Sequence, residues 1–151
     1  MLDEINNHIK TYYQILFSTN AVYGKLAKKH GLTACSLFVL YVIHEYPEQC
    51  TQRLICEKLL YPKQTVNAIL DSFEKKGYIK KEAAHEDKRS KRIELTPTGK
   101  SYADSVLSDI FQLEENALLN LEPGLRKAML QGELAFYGQL QKYIEQPQDF
   151  S

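Results

Sequence analysis

The sequence has no tryptophan and only three cysteines among 151 residues. Cys35, Cys50 and Cys56 are odd in number and lack CxxC spacing, so they are expected as free thiols in a reducing compartment. His8, His30, His44 and His85 are scattered. No two of them stand at i, i+4, and no zinc-ligand spacing is recognisable, so no metal is expected. The longest unbroken apolar run, Leu37 to Ile43, is far short of a membrane span. The start, MLDEINNH, is acidic and polar, unlike a signal peptide. Both point to a cytoplasmic protein without a membrane partner. GxSxG, phosphate-binding glycine loops, HExxH and dinucleotide fingerprints are all missing, so neither an enzyme nor a cofactor is expected. Glycine and proline are few, at 7 and 5, with no low-complexity tract, so the chain should fold along nearly all its length.

There is also no net charge, since 19 Lys and Arg balance 19 Asp and Glu. The distribution is uneven, however. Residues 58–100 hold eleven Lys and Arg against six Asp and Glu, and residues 101–151 hold three against eight. A basic middle segment beside an acidic end suits a local anionic partner. The same pattern could be no more than a clustering of solvated charges. The length is that of one domain, with 44% apolar and 25% charged residues.

Periodicity supplies the element order. Ile5, Ile9, Tyr12, Leu16, Tyr23 and Leu26 predict a long amphipathic first helix over about the first 25 residues. Gly31 suits a left-handed cap after it. Thr33 can cap a second helix to about Tyr46, apolar on nearly all sides and therefore central. Thr51 can cap a short third helix, QRLICEKLL, and Pro62 is expected at the first position of a fourth, PKQTVNAILDSFEKK. YIKKEAA and RIELT alternate and are joined by HEDKRSK, which predicts a β-hairpin. Thr96-Pro97 then opens another helix, and Glu122-Pro123-Gly124 separates two long ones. The fold class expected is mainly α with a small β-hairpin wing, a winged helix-turn-helix at 31–100. Residues 1–30 and 101–146 form a helical dimerisation region.

Residues 51–96 carry the functional signal. A short helix, a tight turn and a second helix let the second helix enter a DNA major groove. At ~100° per residue, Val66, Ile69, Leu70 and Phe73 share one sector that must face the core. Gln64, Asn67, Ala68, Asp71 and Lys75 lie opposite, and Pro62, Lys63 and Thr65 occupy the first turn. Gln and Asn can pair bidentately with adenine, and Thr can touch a thymine methyl. The helix start also offers free N–H groups to a phosphate. An ordinary surface helix shows a polar face as well. The hairpin tip adds Lys88, Arg89, Ser90, Lys91 and Arg92, a crowd of cations that an anion would relieve. A narrow minor groove attracts inserted Arg.

PKQTVN at 62–67, LDSFEKKGYI at 70–79, DKR at 87–89 and LTPTGK at 95–100 stand in an order and spacing that resemble the MarR family of bacterial regulators. The resemblance spans nearly the whole chain. It implies a homodimer held by the first and last two helices, bound to double-stranded DNA and usually repressing transcription. It implies Arg89 as the minor-groove residue of the wing and Asp87 as its brace; Asp87 as a simple turn former is an alternative.

The resemblance also implies a small-molecule effector, aromatic or otherwise, held between the dimerisation helices and the winged domain. Tyr12, Tyr13, Phe17, Phe38 and Tyr41 could line that site, although burial alone also explains aromatics at helical spacing. Oxidant sensing by a cysteine is a further family mode. Cys35 lies near a helix start, where the dipole could lower its pKa, and Cys56 sits in an apolar stretch. Two rival readings of the fold are a protein-binding adaptor without DNA contact and a redox- or metal-responsive regulator.

Overall fold

The computed structural model describes residues 1–83 and 91–145. Six helices and one hairpin run in the order α1 (Leu2–Lys29), α2 (Ala34–Glu45), α3 (Gln52–Leu59), α4 (Lys63–Lys75), β1 (Ile79–Ala83), β2 (Lys91–Leu95), α5 (Pro97–Leu119) and α6 (Pro123–Glu145). The mainly helical class with a hairpin is as the sequence implied. The Thr33 hydroxyl accepts from Ser36 N, and that of Thr51 from Leu54 N, both at 3.1 Å. Each satisfies an amide that its helix cannot. Gly31 and Gly77, which end α1 and α4, both have φ +72°, a region where a Cβ is penalised.

Two boundaries differ from the expectation. Pro62 caps α4 rather than opening it: its ψ of 142° is extended, and its carbonyl accepts from Val66 N at 3.2 Å. The helix starts at Lys63. The third helix stops at Leu59, because Leu60 turns left-handed at φ 55°. The proline two residues on biases Tyr61 away from helix, so the chain must turn there. Leu60 pays for that turn in strain and leaves its side chain 80% exposed.

The chain forms two compact units, Met1–Ile110 and Phe111–Ser151. The core of the first is built around α2, whose Leu37, Val39, Leu40, Val42 and Ile43 are all buried. From α4 it receives Val66, Ile69, Leu70 and Phe73, the sector the periodicity assigned. Burial of this kind contributes roughly 1.5–3 kcal/mol per large side chain, as an upper estimate. β1 and β2 pair antiparallel with Ile79 opposite Leu95 and Lys81 opposite Ile93. Ile79 and Ile93 are buried, so the pleat turns them to the core. Ile93 N also donates to Cys50 O at 2.8 Å, tying the hairpin to the chain just before α3.

Within the same unit the first half of α5 is held at three points. The Tyr102 hydroxyl donates to His30 O at 2.7 Å. Asp109 pairs with Lys29 Nζ and His30 Nε2, each at 2.9 Å. These two partners hold the Asp109 carboxyl below its usual range. His44 Nε2 lies 3.4 Å from Asp104 Oδ1.

In the second unit, the Glu122 carboxylate accepts from Leu125 N at 3.0 Å and so closes the start of α6. No residue of α6 is buried. At ~100° per residue, Leu125, Met129, Phe136, Leu140 and Tyr143 form one exposed stripe, while Leu130, Leu134 and Tyr137, also exposed, point to another side of the helix. On α1, Ile5, Ile9, Tyr13, Leu16 and Phe17 are exposed as well. Among the described residues no single helix is long and apolar enough to cross a membrane.

Candidate nucleic-acid interface

The site is built on α4. Its core stripe is anchored, so the opposite face must point outward, and Lys63, Gln64, Asn67 and Ala68 are exposed there. Pro62 makes no side-chain cap bond, so no cap side chain covers the first amides of the helix. Thr65 is half-buried. On the neighbouring α3, Gln52 Nε2 donates to Lys63 O at 3.2 Å, which fixes the start of α4 against α3.

A polar chain that the sequence reading did not assemble crosses from α4 to the hairpin. Asn67 Nδ2 donates to Asp71 Oδ2 at 3.2 Å, and Lys81 Nζ on β1 donates to Asp71 Oδ1 at 2.8 Å. Lys81 also pairs with Glu74 at 3.2 Å. Lys81 holds the Asp71 carboxyl below the usual carboxylate range, and Asp71 in turn raises Lys81. The i, i+4 spacing of Asn67 and Asp71 was legible in the sequence. The partner ten residues on was not, because it depends on how the hairpin folds back.

Asn67 and Lys81 also line a cavity of about 650 Å³, together with Thr51, Gln52, Arg53, Cys56, Lys63, Leu70, Lys91 and Ile93. Four of these residues are cations, Arg53, Lys63, Lys81 and Lys91, and Cys56, Leu70 and Ile93 are apolar. Arg53 is engaged with Glu57 at 2.7 Å. Of the wing residues, Lys91 opens β2 and is exposed. Arg92 is turned onto Glu94 and reaches Glu82 at 3.7 Å, so its charge is shared along the hairpin. Asp87, Lys88, Arg89 and Ser90 lie outside the described residues.

The aromatic residues expected at an effector site make ring contacts on α1 and between α1 and α2. Tyr12 and Tyr13 are 6.2 Å apart, and Tyr13 stacks on Phe17 at 5.7 Å, all on α1. Phe38 meets Tyr23 at 5.3 Å. Tyr41 is exposed on α2. Among the cysteines, Cys50 is fully buried, and burial pushes its thiol up to about 12. It is a poor thiolate. Cys35 and Cys56 are half-buried, and Cys35 sits against the Tyr61 hydroxyl, which is pushed up to about 12, by burial first and by Cys35 next. Among the described residues no group of three or more His, Cys, Asp or Glu could hold a metal ion.

A family model described as MarR family matches residues 30–90, from the end of α1 into the hairpin. The HTH-type transcriptional regulator SarZ of Staphylococcus haemolyticus is 33% identical over 107 residues, covering 65% of this chain and 72% of SarZ. Among solved structures, a MarR family transcription regulator superposes with a TM-score of 0.78 at 20% identity, covering 93% of this chain and 94% of that one. The Staphylococcus aureus MepR–DNA complex gives 0.74 at 19% identity, covering 87% and 96%. At such identities the structures speak for the fold; the family is carried by the match to SarZ and by the segment at 30–90. The chain belongs to the MarR family.

Proposed function

We propose that the protein is a transcription regulator, most simply a repressor, that binds double-stranded DNA sequence-specifically as a homodimer in the cytoplasm. The observation that carries this reading is the outward face of α4. An anchored helix presents Gln64, Asn67 and Ala68 beside a start that Pro62 does not cap with its side chain. Pro62, Lys63 and Thr65 complete its first turn. In this reading Lys63 and the first amides hold a phosphate while Gln64 and Asn67 read base edges. Lys88, Arg89, Ser90, Lys91 and Arg92 form the wing's contact with the backbone and minor groove, with Asp87 as its brace.

Residues 31–100 act as the DNA-binding part, and 1–30 with 101–146 as the dimerisation region. The exposed apolar stripes of α1 and α6 support the second assignment. Stripes of that length on a soluble chain mark an interface, and a two-fold dimer sets two copies of α4 on a pseudo-palindrome. The α1 rings of Tyr12, Tyr13 and Phe17 support an effector surface near the dimer helices. We assign no catalysis, cofactor or metal. The test is selection of bound sequences from random duplex DNA. Enrichment of a palindrome with half-sites ~10 bp apart, or a multiple, is expected, and recovery of unselected sequences would contradict it.

A further inference from the structure

Reading bases with Gln64 and Asn67 leaves Asp71 without a part, yet Asp71 stands one turn beyond Asn67 on the same face. Its two oxygens are divided. Oδ2 accepts from Asn67 Nδ2 at 3.2 Å, and Oδ1 accepts from Lys81 Nζ at 2.8 Å. Lys81 is held a second time by Glu74, and its side chain is only 17% exposed. The carboxylate therefore cannot swing freely, because its other end is fixed to the hairpin.

A side-chain amide has two ends of opposite character, an acceptor oxygen and a donor NH₂. On a bare helix face, Asn67 could turn either end toward a base. An ionised carboxylate only accepts, so Asp71 can be satisfied only by the NH₂ end. One N–H is used in this way. Oδ1 and a second N–H are left, an acceptor beside a donor. That is the pair that adenine complements in the major groove with its N6–H₂ donor and N7 acceptor.

We propose that Asp71, held in place by Lys81, is a positioning residue that fixes the Asn67 amide in the orientation that reads adenine. This rests on the DNA-binding reading above. It adds a consequence for the wing. Lys81 lies on β1, so the root of the hairpin sets the recognition amide, and base reading on α4 depends on how the hairpin is seated.

The experiment is an equilibrium titration, by fluorescence anisotropy, of duplexes that differ only at the base pair where Asn67→Ala loses its preference. The wild type should favour adenine there by roughly tenfold. Asp71→Ala should lose most of that preference and keep the preferences at other positions. Asp71→Asn should lose it too, since an amide at 71 can satisfy either end of Asn67. Lys81→Met should follow in the same direction and Lys81→Arg should retain the preference. The double variant Asn67→Ala with Asp71→Ala should discriminate no worse than Asn67→Ala alone.

Asp71 is half exposed, so its variants should keep the wild-type unfolding midpoint closely enough to be compared. An Asp71→Ala protein with the adenine preference intact overturns the proposal. So does a uniform loss of affinity on all duplexes with a lowered midpoint, which would mark a merely structural residue. If Asn67→Ala changes no preference although the wild type selects a sequence, the proposal falls and the DNA-binding reading stands. A wild type with no sequence preference removes both.

Discussion

Gly99 is the one glycine of the seven at which an added methyl group would run into backbone. A Cβ built there would lie 1.8 Å from Tyr78 O, 2.6 Å from Tyr78 C and 2.8 Å from Tyr78 Cα. All three are backbone atoms, so no side chain can turn aside. Ordinary carbon contacts begin near 3.5 Å, so α5 and the hairpin root must part by about 1.7 Å. That joint carries Thr96 N donating to Tyr78 O at 3.0 Å and the Thr96 hydroxyl donating to Gly77 O at 2.5 Å. Tyr78 also stacks on Tyr102 with ring centres 4.3 Å apart.

Each hydrogen bond is worth about 1 kcal/mol net, and the ring pair about 0.5–1.5 kcal/mol. Against this, Ala is favoured over Gly inside a helix by up to about 1 kcal/mol. Gly99→Ala should therefore lose about 2–3 kcal/mol, a large share of the ~5–15 kcal/mol typical of a domain. Urea unfolding at one fixed protein concentration reads it directly. A Gly99→Ala protein as stable as the wild type would show that helix propensity decides this position and that the close approach at Tyr78 does not.

Four further outcomes follow from the same structure. Phe17→Glu combined with Leu140→Glu should convert a dimer to a monomer by light scattering at micromolar concentration, because both side chains belong to the exposed apolar residues of α1 and α6, 64% and 51% accessible; an unchanged mass would place the interface elsewhere. Lys91→Ala should weaken all DNA sequences alike and flatten the slope of log K against log salt by about one unit, whereas Arg89→Ala should hurt A/T-rich flanks most; equal losses on A/T and G/C flanks would make Arg89 one more phosphate contact. The Asp109 carboxyl is lowered by Lys29 and His30, so its contribution is present above the unfolded value and is lost as pH falls through the lowered one; the stability gap between wild type and Asp109→Asn should be full above about pH 4 and close below it, and a gap that grows toward acid would refute the pairing. Finally, a thiol reagent at pH 8 should leave Cys50 unmodified in the native protein, since burial holds its thiol near 12; labelling of Cys50 at the rate of Cys35 would show that the core opens.

The helices were legible because their signals are local. The stripe Val66, Ile69, Leu70 and Phe73 identified the buried face of α4, and Thr33 and Thr51 marked helix starts by their own hydroxyls. What the sequence did not show depends on distant partners. Lys81 meets Asp71 only because β1 folds back along α4, and Arg92 meets Glu82 only because the hairpin register sets them opposite. The closeness of Gly99 to Tyr78 is a fact of how α5 leaves the hairpin, and no periodicity carries it. The boundary at Leu60 was missed because a leucine gives no warning of a left-handed turn; Pro62, two residues on, was the available signal.

The central claim joins two copies of this chain to one duplex through α4, and native mass spectrometry tests it in a single measurement. The protein is mixed with a duplex enriched by selection and with the same duplex scrambled. Two chains per selected duplex are predicted, with the complex lost on the scrambled duplex and weakened by Asn67→Ala. One chain per duplex, or equal occupancy of selected and scrambled DNA by wild type and Asn67→Ala, would contradict it.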